Sequence, residues 1–474
     1  MPLNRHALPT SKQLMLLLFS CLLIRLFSLS LYPLMDTTEA RYGEMARIMV
    51  ETGNWITPMF DYNVPFWGKP PIFSWLSSAG FELFGVTEFA ARIPHLLVAL
   101  GILWLTYLLA KTHYNSRKMG LFASSILASS FSFILISGAV TTDTALTFSI
   151  ALSMVSFWFA WNKKHPIWGY LFFVGLALGM LSKGPLALVL VGISLALWLL
   201  PNARWKKLWQ VLPWGYGSLL LLLITLPWYA LAEYRTPGFL DYFIVGEHIK
   251  RFIIGGWKGD LYGTAHERVR GTIWLYGMIA MLPWTPLIFA QWARLLRSNQ
   301  DTQEAASGFG SFLLCWAIAP LLLFTFAGNI LITYVMPSLP ATALLLLHYQ
   351  RQQALPRWLY GIGFLTPAML IVFITALHFH YGEARSEAGI MAIWKQQKES
   401  ESADLFYLRH RPFSAQFYSN GKALQRSEAN KAWLKAQHKP FFIVQRSDAK
   451  ESYPNWSCSQ RSQERKKTLL YCQQ

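Results

Sequence analysis

Residues 14–42 read LMLLLFSCLLIRLFSLSLYPLMDTTEARY, an apolar run that ends abruptly in an acidic, polar loop. From Leu14 to Leu34 the run is long enough to cross ~30 Å of hydrocarbon as a helix. No small-residue cleavage site follows it, so it is read as a retained first span rather than a signal peptide. Arg25 is costly inside such a span and is expected to face the protein interior. Comparable runs recur at 93–110, 119–138, 144–161, 167–181, 184–200, 211–232, 271–291, 310–327, 331–348 and 358–379. Together they predict about eleven spans, or up to roughly thirteen with short helices included.

The composition agrees: 54% hydrophobic, 15% aromatic and only 14% charged, where a soluble domain is about one quarter charged. Trp and Tyr gather at the ends of the runs, as headgroup anchors do. A formal charge of +18 invites a nucleic-acid partner, but its distribution argues against one. The basic residues sit between spans, in the clusters Lys111/Arg117/Lys118, Lys163/Lys164, Arg204/Lys206/Lys207, Arg294/Arg297 and Arg351/Arg357. Every second loop carries such a cluster, which predicts that those loops are cytoplasmic, together with the tail holding Arg5 and Lys12. The alternate loops, chiefly 35–92 and 233–270, then lie outside, as does the C-terminus. They hold nearly all the acidic residues before the tail.

Two domains are expected. Residues 1–379 form an all-α polytopic membrane domain, and 380–474 a small soluble α/β domain with strands at 404–408, 440–445 and 468–472 and a helix at 427–437. Cys21 and Cys315 lie in apolar runs. Cys458 and Cys472 flank a basic turn in a compartment expected to be oxidising, which suits a disulfide. No zinc or haem spacing is present.

The acidic loop after the first span carries Asp36, Glu39 and Arg41. Glu44 and Arg47 fit an amphipathic surface helix with Met45, Ile48 and Met49 on its other face and its charges solvated. That reading leaves an acid cluster at the end of a span unexplained. Moving a sugar from a lipid phosphate needs a carboxylate to accept a proton or orient the acceptor, and cations to neutralise the departing phosphate. Asp36 and Glu39 fit the first need. Lys69, in Gly68-Lys69-Pro70-Pro71, fits the second. Asp143 is either a helix cap or a third acid. Lys183 either snorkels or joins the same face. Arg251, in GEHIKRF, suits bidentate grip of a phosphate, whereas Glu247 and His248 alone make a poor metal site. Tyr334 is a further phosphate donor or a headgroup anchor.

The segments DTTEARYGEMARIMVETGNWITPMF, FWGKPPIFSWL and FGVTEFAARIP, followed in order by TTDTAL, LSKGPLAL, PWYALAEY, EHIKRF and ITYVMPSLP, resemble the lipid A aminoarabinose transferase family, relatives of the protein O-mannosyltransferases. The resemblance covers residues 14–350. It implies the membrane glycosyltransferase fold called GT-C, a polyprenyl-phosphate sugar donor, and inverting transfer on the periplasmic face of a bacterial inner membrane. It also implies catalytic roles for Asp36, Glu39 and Asp143, and donor-phosphate binding by Lys69, Arg251 and Tyr334. Arg41, Lys183, Glu247 and His248 complete the candidate set as supporting residues. Two departures stand out: Thr38 rather than an acid precedes Glu39, and Gly68 rather than an acid precedes Lys69. A divalent metal therefore stays an alternative that no ligand spacing supports.

The expected activity is transfer of a sugar from undecaprenyl phosphate to lipid A or another glycolipid. A protein acceptor is the alternative, and a polyprenyl-lipid flippase the rival from another class. A transporter would show internal repeats and broken mid-membrane helices, and the sequence reads as having neither.

Overall fold

The computed structural model describes residues 8–474 apart from 203, 264–265, 298–307, 352–359, 380–384, 398–401, 428–431, 436 and 450–452. Arg5 and Arg357, two of the residues read as cytoplasmic, lie outside that set. Among the described residues six helices are long and apolar enough to cross a membrane: Ser11–Ser28, Glu88–Tyr114, Asp143–Trp161, Trp214–Arg235, Ile332–Gln350 and Gly361–Phe379. Shorter apolar helices, Ile167–Lys183, Leu186–Leu199 and Phe309–Thr325, pack among them. The first helix begins with a capping box, Thr10 and Gln13 satisfying each other's backbone N–H. The chain is thus a polytopic, mostly helical membrane protein.

Two of the expected spans are broken, contrary to the sequence reading. Residues 119–138 divide into Arg117–Ala128 and Phe131–Ile136. Residues 271–291 divide into Thr272–Ala280 and a second helix from Thr285, bent by 110°. Ser129 and Ser130 return their hydroxyls to the carbonyls of Ser125 and Ile126, a local bond that competes with helix continuation. The two breaks meet. Phe131 N–H donates to the Leu282 carbonyl at 2.8 Å, Trp284 Nε1 to Ser129 Oγ at 3.0 Å and Thr366 Oγ1 to the Ser129 carbonyl at 2.6 Å. Backbone groups freed in hydrocarbon need such partners, and each break supplies them to the other.

At one end of the bundle the loop after the first helix folds into helices Thr38–Thr52 and Ile72–Phe84, with a short strand pair, Met59–Asp61 and Val64–Pro65, between them. Gly53 ends the first of these with φ +65, and a Cβ at Gly80 would meet the Ala90 carbonyl oxygen, so helix Ile72–Phe84 lies directly on Glu88–Tyr114. The expected solvated face is absent. Glu44 is 0% and Arg47 5% exposed, joined by two bonds of 2.7 Å. The helix is covered on its second side by helix Phe413–Tyr418 of the C-terminal region.

That region is a five-stranded sheet in the order Ala423–Arg426, Asp404–Leu408, Phe441–Arg446, Lys467–Gln473, Ser457–Glu464; the first three strands are parallel and the rest antiparallel. Cys458 and Cys472 face each other across the last pair and are bonded, Cα–Cα 4.1 Å. Helices Ala388–Gln396 and Phe413–Tyr418 and the strands Ala423–Arg426 and Ser457–Glu464 were not foreseen. Of the helix expected at 427–437, the described residues hold Ala432–Lys435; 428–431 and 436 lie outside them.

The sheet docks through polar bonds. The Asp36 carboxylate accepts from Ser414 N at 3.1 Å and from its hydroxyl. Asp61 pairs with Arg411 and Gln416, and Tyr418 donates to Glu88 at 2.8 Å. On the opposite side of the loop, Arg92 is fully buried and bonds both oxygens of Glu39, at 3.1 and 2.8 Å. Breaking such a pair by removing one partner costs about 3–5 kcal/mol. Glu39→Gln and Arg92→Leu should therefore lower the melting temperature in detergent far more than Asp448→Ala, which removes an exposed pair with Arg446. Equal melting of all three variants would dismiss the clamp.

Candidate functional site

Lys69 follows the strand pair and is held by aromatic packing. Tyr262 packs at a tilt on Phe60 and edge-on to Phe66, with centroids at 5.0 and 4.7 Å. Its hydroxyl donates to the Pro65 carbonyl at 2.9 Å and accepts from Trp67 N at 3.2 Å. Pro70 and Pro71 stiffen the chain beyond Lys69 and lead into helix Ile72–Phe84. A Cβ at Gly68 would lie 2.7 Å from the Phe66 ring. The space a side chain at position 68 would take is thus occupied by the Phe66 ring.

Opposite Lys69, residues Asp241–Lys250 form a π-helix, a rare geometry found disproportionately at functional sites. It presents Glu247, whose Oε2 accepts from Lys69 Nζ at 2.8 Å and from Arg251 at 2.9 Å. Arg251 also lies 3.4 Å from Asp260. Burial alone would raise the Glu247 carboxyl, but the Lys69 and Arg251 charges outweigh it and bring it down to about 2. Asn329 donates to the Arg251 and Ile254 carbonyls at 2.7 and 3.3 Å, fastening this loop to the 3₁₀ segment Ile332–Ser338 that carries Tyr334.

Tyr334 stacks on Phe324 at 4.6 Å, and Lys183 Nζ sits 4.9 Å from its ring centroid. Lys183 is 6% exposed, so it does not snorkel; its Nζ donates to Asp143 Oδ1 at 2.5 Å. Asp143 opens its helix without capping it, and its second oxygen has no hydrogen bond among the described residues. His248 joins the two halves, one ring nitrogen 2.9 Å from the Lys183 carbonyl and the other 2.7 Å from that of Phe243. Burial lowers its pKa, against the two carbonyls that face its ring nitrogens.

The structure therefore gathers Lys69, Glu247, His248, Arg251, Tyr334, Lys183 and Asp143. It does not bring Asp36 or Glu39, the two acids expected to be catalytic, into their hydrogen bonds. Both Asp36 oxygens are taken by Ser414, and burial raises its pKa against those bonds. Both Glu39 oxygens are taken by Arg92, one also by Val140 N at 3.2 Å. Burial opposes the Glu39 charge, but Arg92 holds its pKa below the usual range. Arg41 donates to the Tyr262 carbonyl at 2.6 Å and so supports the aromatic platform. Asp260, Asn329 and Arg92 were missed. Arg92 had a signal, a charge one turn into an apolar span; the other two lie in loop sequence without periodicity. No three His, Cys, Asp or Glu side chains gather as metal ligands among the described residues.

Because the Glu247 pKa is depressed from 4.5, its ion pairs stabilise the loop above pH 4.5 and lose that effect as pH falls toward 2. Amide protection across 241–253 should be flat from pH 7 to 5 and decline below 4.5. Glu247→Gln should abolish the decline; a decline already under way at pH 6 would contradict the assignment.

Residues 11–243 match the sequence profile of the dolichyl-phosphate-mannose-protein mannosyltransferases. The undecaprenyl phosphate-alpha-4-amino-4-deoxy-L-arabinose arabinosyl transferase 1 of Pseudomonas fluorescens is 30% identical over 353 residues, 72% of this chain and 58% of that protein. The corresponding transferase of Aeromonas salmonicida is 30% identical over 398 residues, 78% of this chain and 68% of that protein. The chain thus spans about three-fifths of the length of the first of these. The crystal structure of ArnT from Cupriavidus metallidurans bound to undecaprenyl phosphate superposes with a TM-score of 0.79 over 98% of both chains at 18% identity, a likeness of fold.

Proposed function

Since this chain belongs to the undecaprenyl phosphate-4-amino-4-deoxy-L-arabinose arabinosyl transferase family, we propose that it transfers a sugar from an undecaprenyl-phosphate donor to lipid A or another glycolipid. The observation that carries this reading is the meeting of two cations, Lys69 and Arg251, with a half-engaged carboxylate, Asp143, around Tyr334. The cations suit the donor phosphate, Arg251 by its fork geometry and Lys69 as a point charge. An acceptor oxygen attacks the anomeric carbon, the bond to the phosphate oxygen breaks, and the electron pair leaves with the carrier. Charge then grows on the phosphate, where Lys69 and Arg251 stabilise it more strongly than in the ground state. The free oxygen of Asp143 takes the acceptor proton, and Lys183 orients that carboxylate through its other oxygen. Asp36 and Glu39 serve by holding the loop that presents Lys69. The mannosyltransferase profile favours a protein hydroxyl as the second acceptor class.

The reading places the N-terminus in the cytoplasm and the C-terminal domain in the periplasm of a bacterial inner membrane. Alternating basic loops support it. A C-terminal alkaline phosphatase fusion should be active, and an active cytoplasmic reporter at that end would reverse the face of the site.

Purified protein in detergent should move radiolabelled sugar to lipid acceptor, which a flippase would not do. Asp143→Asn should lower kcat by roughly 10²–10⁴ with little change in donor binding. Lys69→Ala should weaken donor binding and turnover together. Wild-type turnover in a correctly folded Asp143→Asn protein would sink the base assignment.

A further inference from the structure

The donor-site reading raises the question of what lies behind its two cations. The Glu247 side chain is 4% exposed, whereas those of Lys69 and Arg251 are 21% and 20% exposed. The carboxylate is therefore the inner layer, and the cations keep open sides. It is also fully engaged: Oε2 accepts from Lys69 and Arg251, and Oε1 from Arg251 at 3.0 Å and Tyr242 at 3.3 Å. Asp260, 3.4 Å from Arg251, adds a second anion. Lys69 and Arg251 are thus balanced by Glu247 and Asp260, and Lys183 is balanced by Asp143. Yet Arg251 Nε is buried with no acceptor among the described residues, so the guanidinium retains a donor for one more oxygen.

We propose that Glu247 is a fixed counter-anion that tunes this site to a singly charged phosphodiester and against a doubly charged phosphomonoester. The two charge states are those of substrate and product. The sugar-bearing carrier is a diester with one negative charge. The spent carrier is a monoester, with about −1.5 to −2 at pH 7. A ligand on the open sides of Lys69 and Arg251 is nearer to them than to the carboxylate behind, so a single charge is held. The additional charge of the monoester still faces Lys69 and Arg251, but the Glu247 carboxylate behind them offsets much of that attraction in a poorly screened environment, so the spent carrier is held less tightly than two unopposed cations would hold it. Glu247 is in this sense a specificity-determining residue: it weakens the product more than the substrate.

The test compares binding of undecaprenyl phosphate and of its methyl diester to the full-length protein in detergent at pH 8. Wild type should bind the diester at least as tightly as the monoester. Glu247→Gln should tighten the monoester by about tenfold more than the diester, and during turnover it should show correspondingly stronger inhibition by undecaprenyl phosphate. Asp260→Asn, which removes the more distant anion, should shift the ratio the same way by less, and provides the measurement if Glu247→Gln fails to fold. An unchanged ratio, or parallel loss of both ligands, would assign Glu247 to holding the two cations and overturn the proposal. Failure of wild type to bind either ligand would overturn the donor-site reading itself, and this inference with it.

Discussion

Arg92 donates five hydrogen bonds from a fully buried position: to the carbonyls of Leu29, Tyr32 and Pro33 and to both oxygens of Glu39. All of its donors are used. Its guanidinium also lies 3.8 Å from the Tyr32 ring centroid. Arg25, one span away, bonds Ser28 Oγ, the Tyr32 hydroxyl and the Ser137 carbonyl. Arg92 thus absorbs the carbonyls released where the first helix ends, and Arg25 the Ser137 carbonyl at the end of helix Phe131–Ile136, a need that is acute where no water can reach. Glu39 completes the charge balance and extends the clamp, because its Oε1 also accepts from Val140 N. Three residues later comes Asp143. The position of that acid therefore follows from how the first span terminates.

The remaining parts of the site come from loops, which need external support to hold a geometry. The support here is aromatic and interdomain. Tyr262 braces Lys69 from one side. The C-terminal sheet closes over helix Thr38–Thr52 from the other, through Asp36, Asp61 and Glu88. This explains why a helix with the pattern of a membrane-surface element is buried on both faces. The soluble domain supplies the second surface, and Glu44 and Arg47, unable to reach water, satisfy each other.

The sequence revealed the spans, the end of the bundle where chemistry-bearing residues gather, and most of the cation set. Those rest on strong signals: run length, loop charge, and charges placed beside apolar segments. The two helix breaks were not legible, because Ser129-Ser130 and Leu282-Pro283 lie within runs that are apolar over their length as a whole, and the tertiary bonds between the breaks make them tolerable. Strand Ser457–Glu464 was equally hidden. Its residues SCSQRSQE are polar throughout, since it is an edge strand packed through only one neighbour, so neither alternation nor β-propensity marked it.

The partition of acids follows one criterion that sequence cannot supply, namely which carboxylate oxygens are already engaged. Asp36, Glu39 and Glu247 each have both oxygens bonded, and a proton taken by any of them competes with those bonds. Asp143 has one oxygen fixed by Lys183 and one without a hydrogen bond among the described residues. It is therefore oriented and still able to accept. Proximity along the chain had favoured Asp36 and Glu39, which share a loop with Lys69. Contact favours Asp143, which reaches Tyr334 and the loop of Arg251 through Lys183 and His248. Glu39 neutralises the buried Arg92 and so fixes the shape of this end of the bundle, and the acid left partly unengaged, Asp143, is the one that the proposed reaction takes as its base.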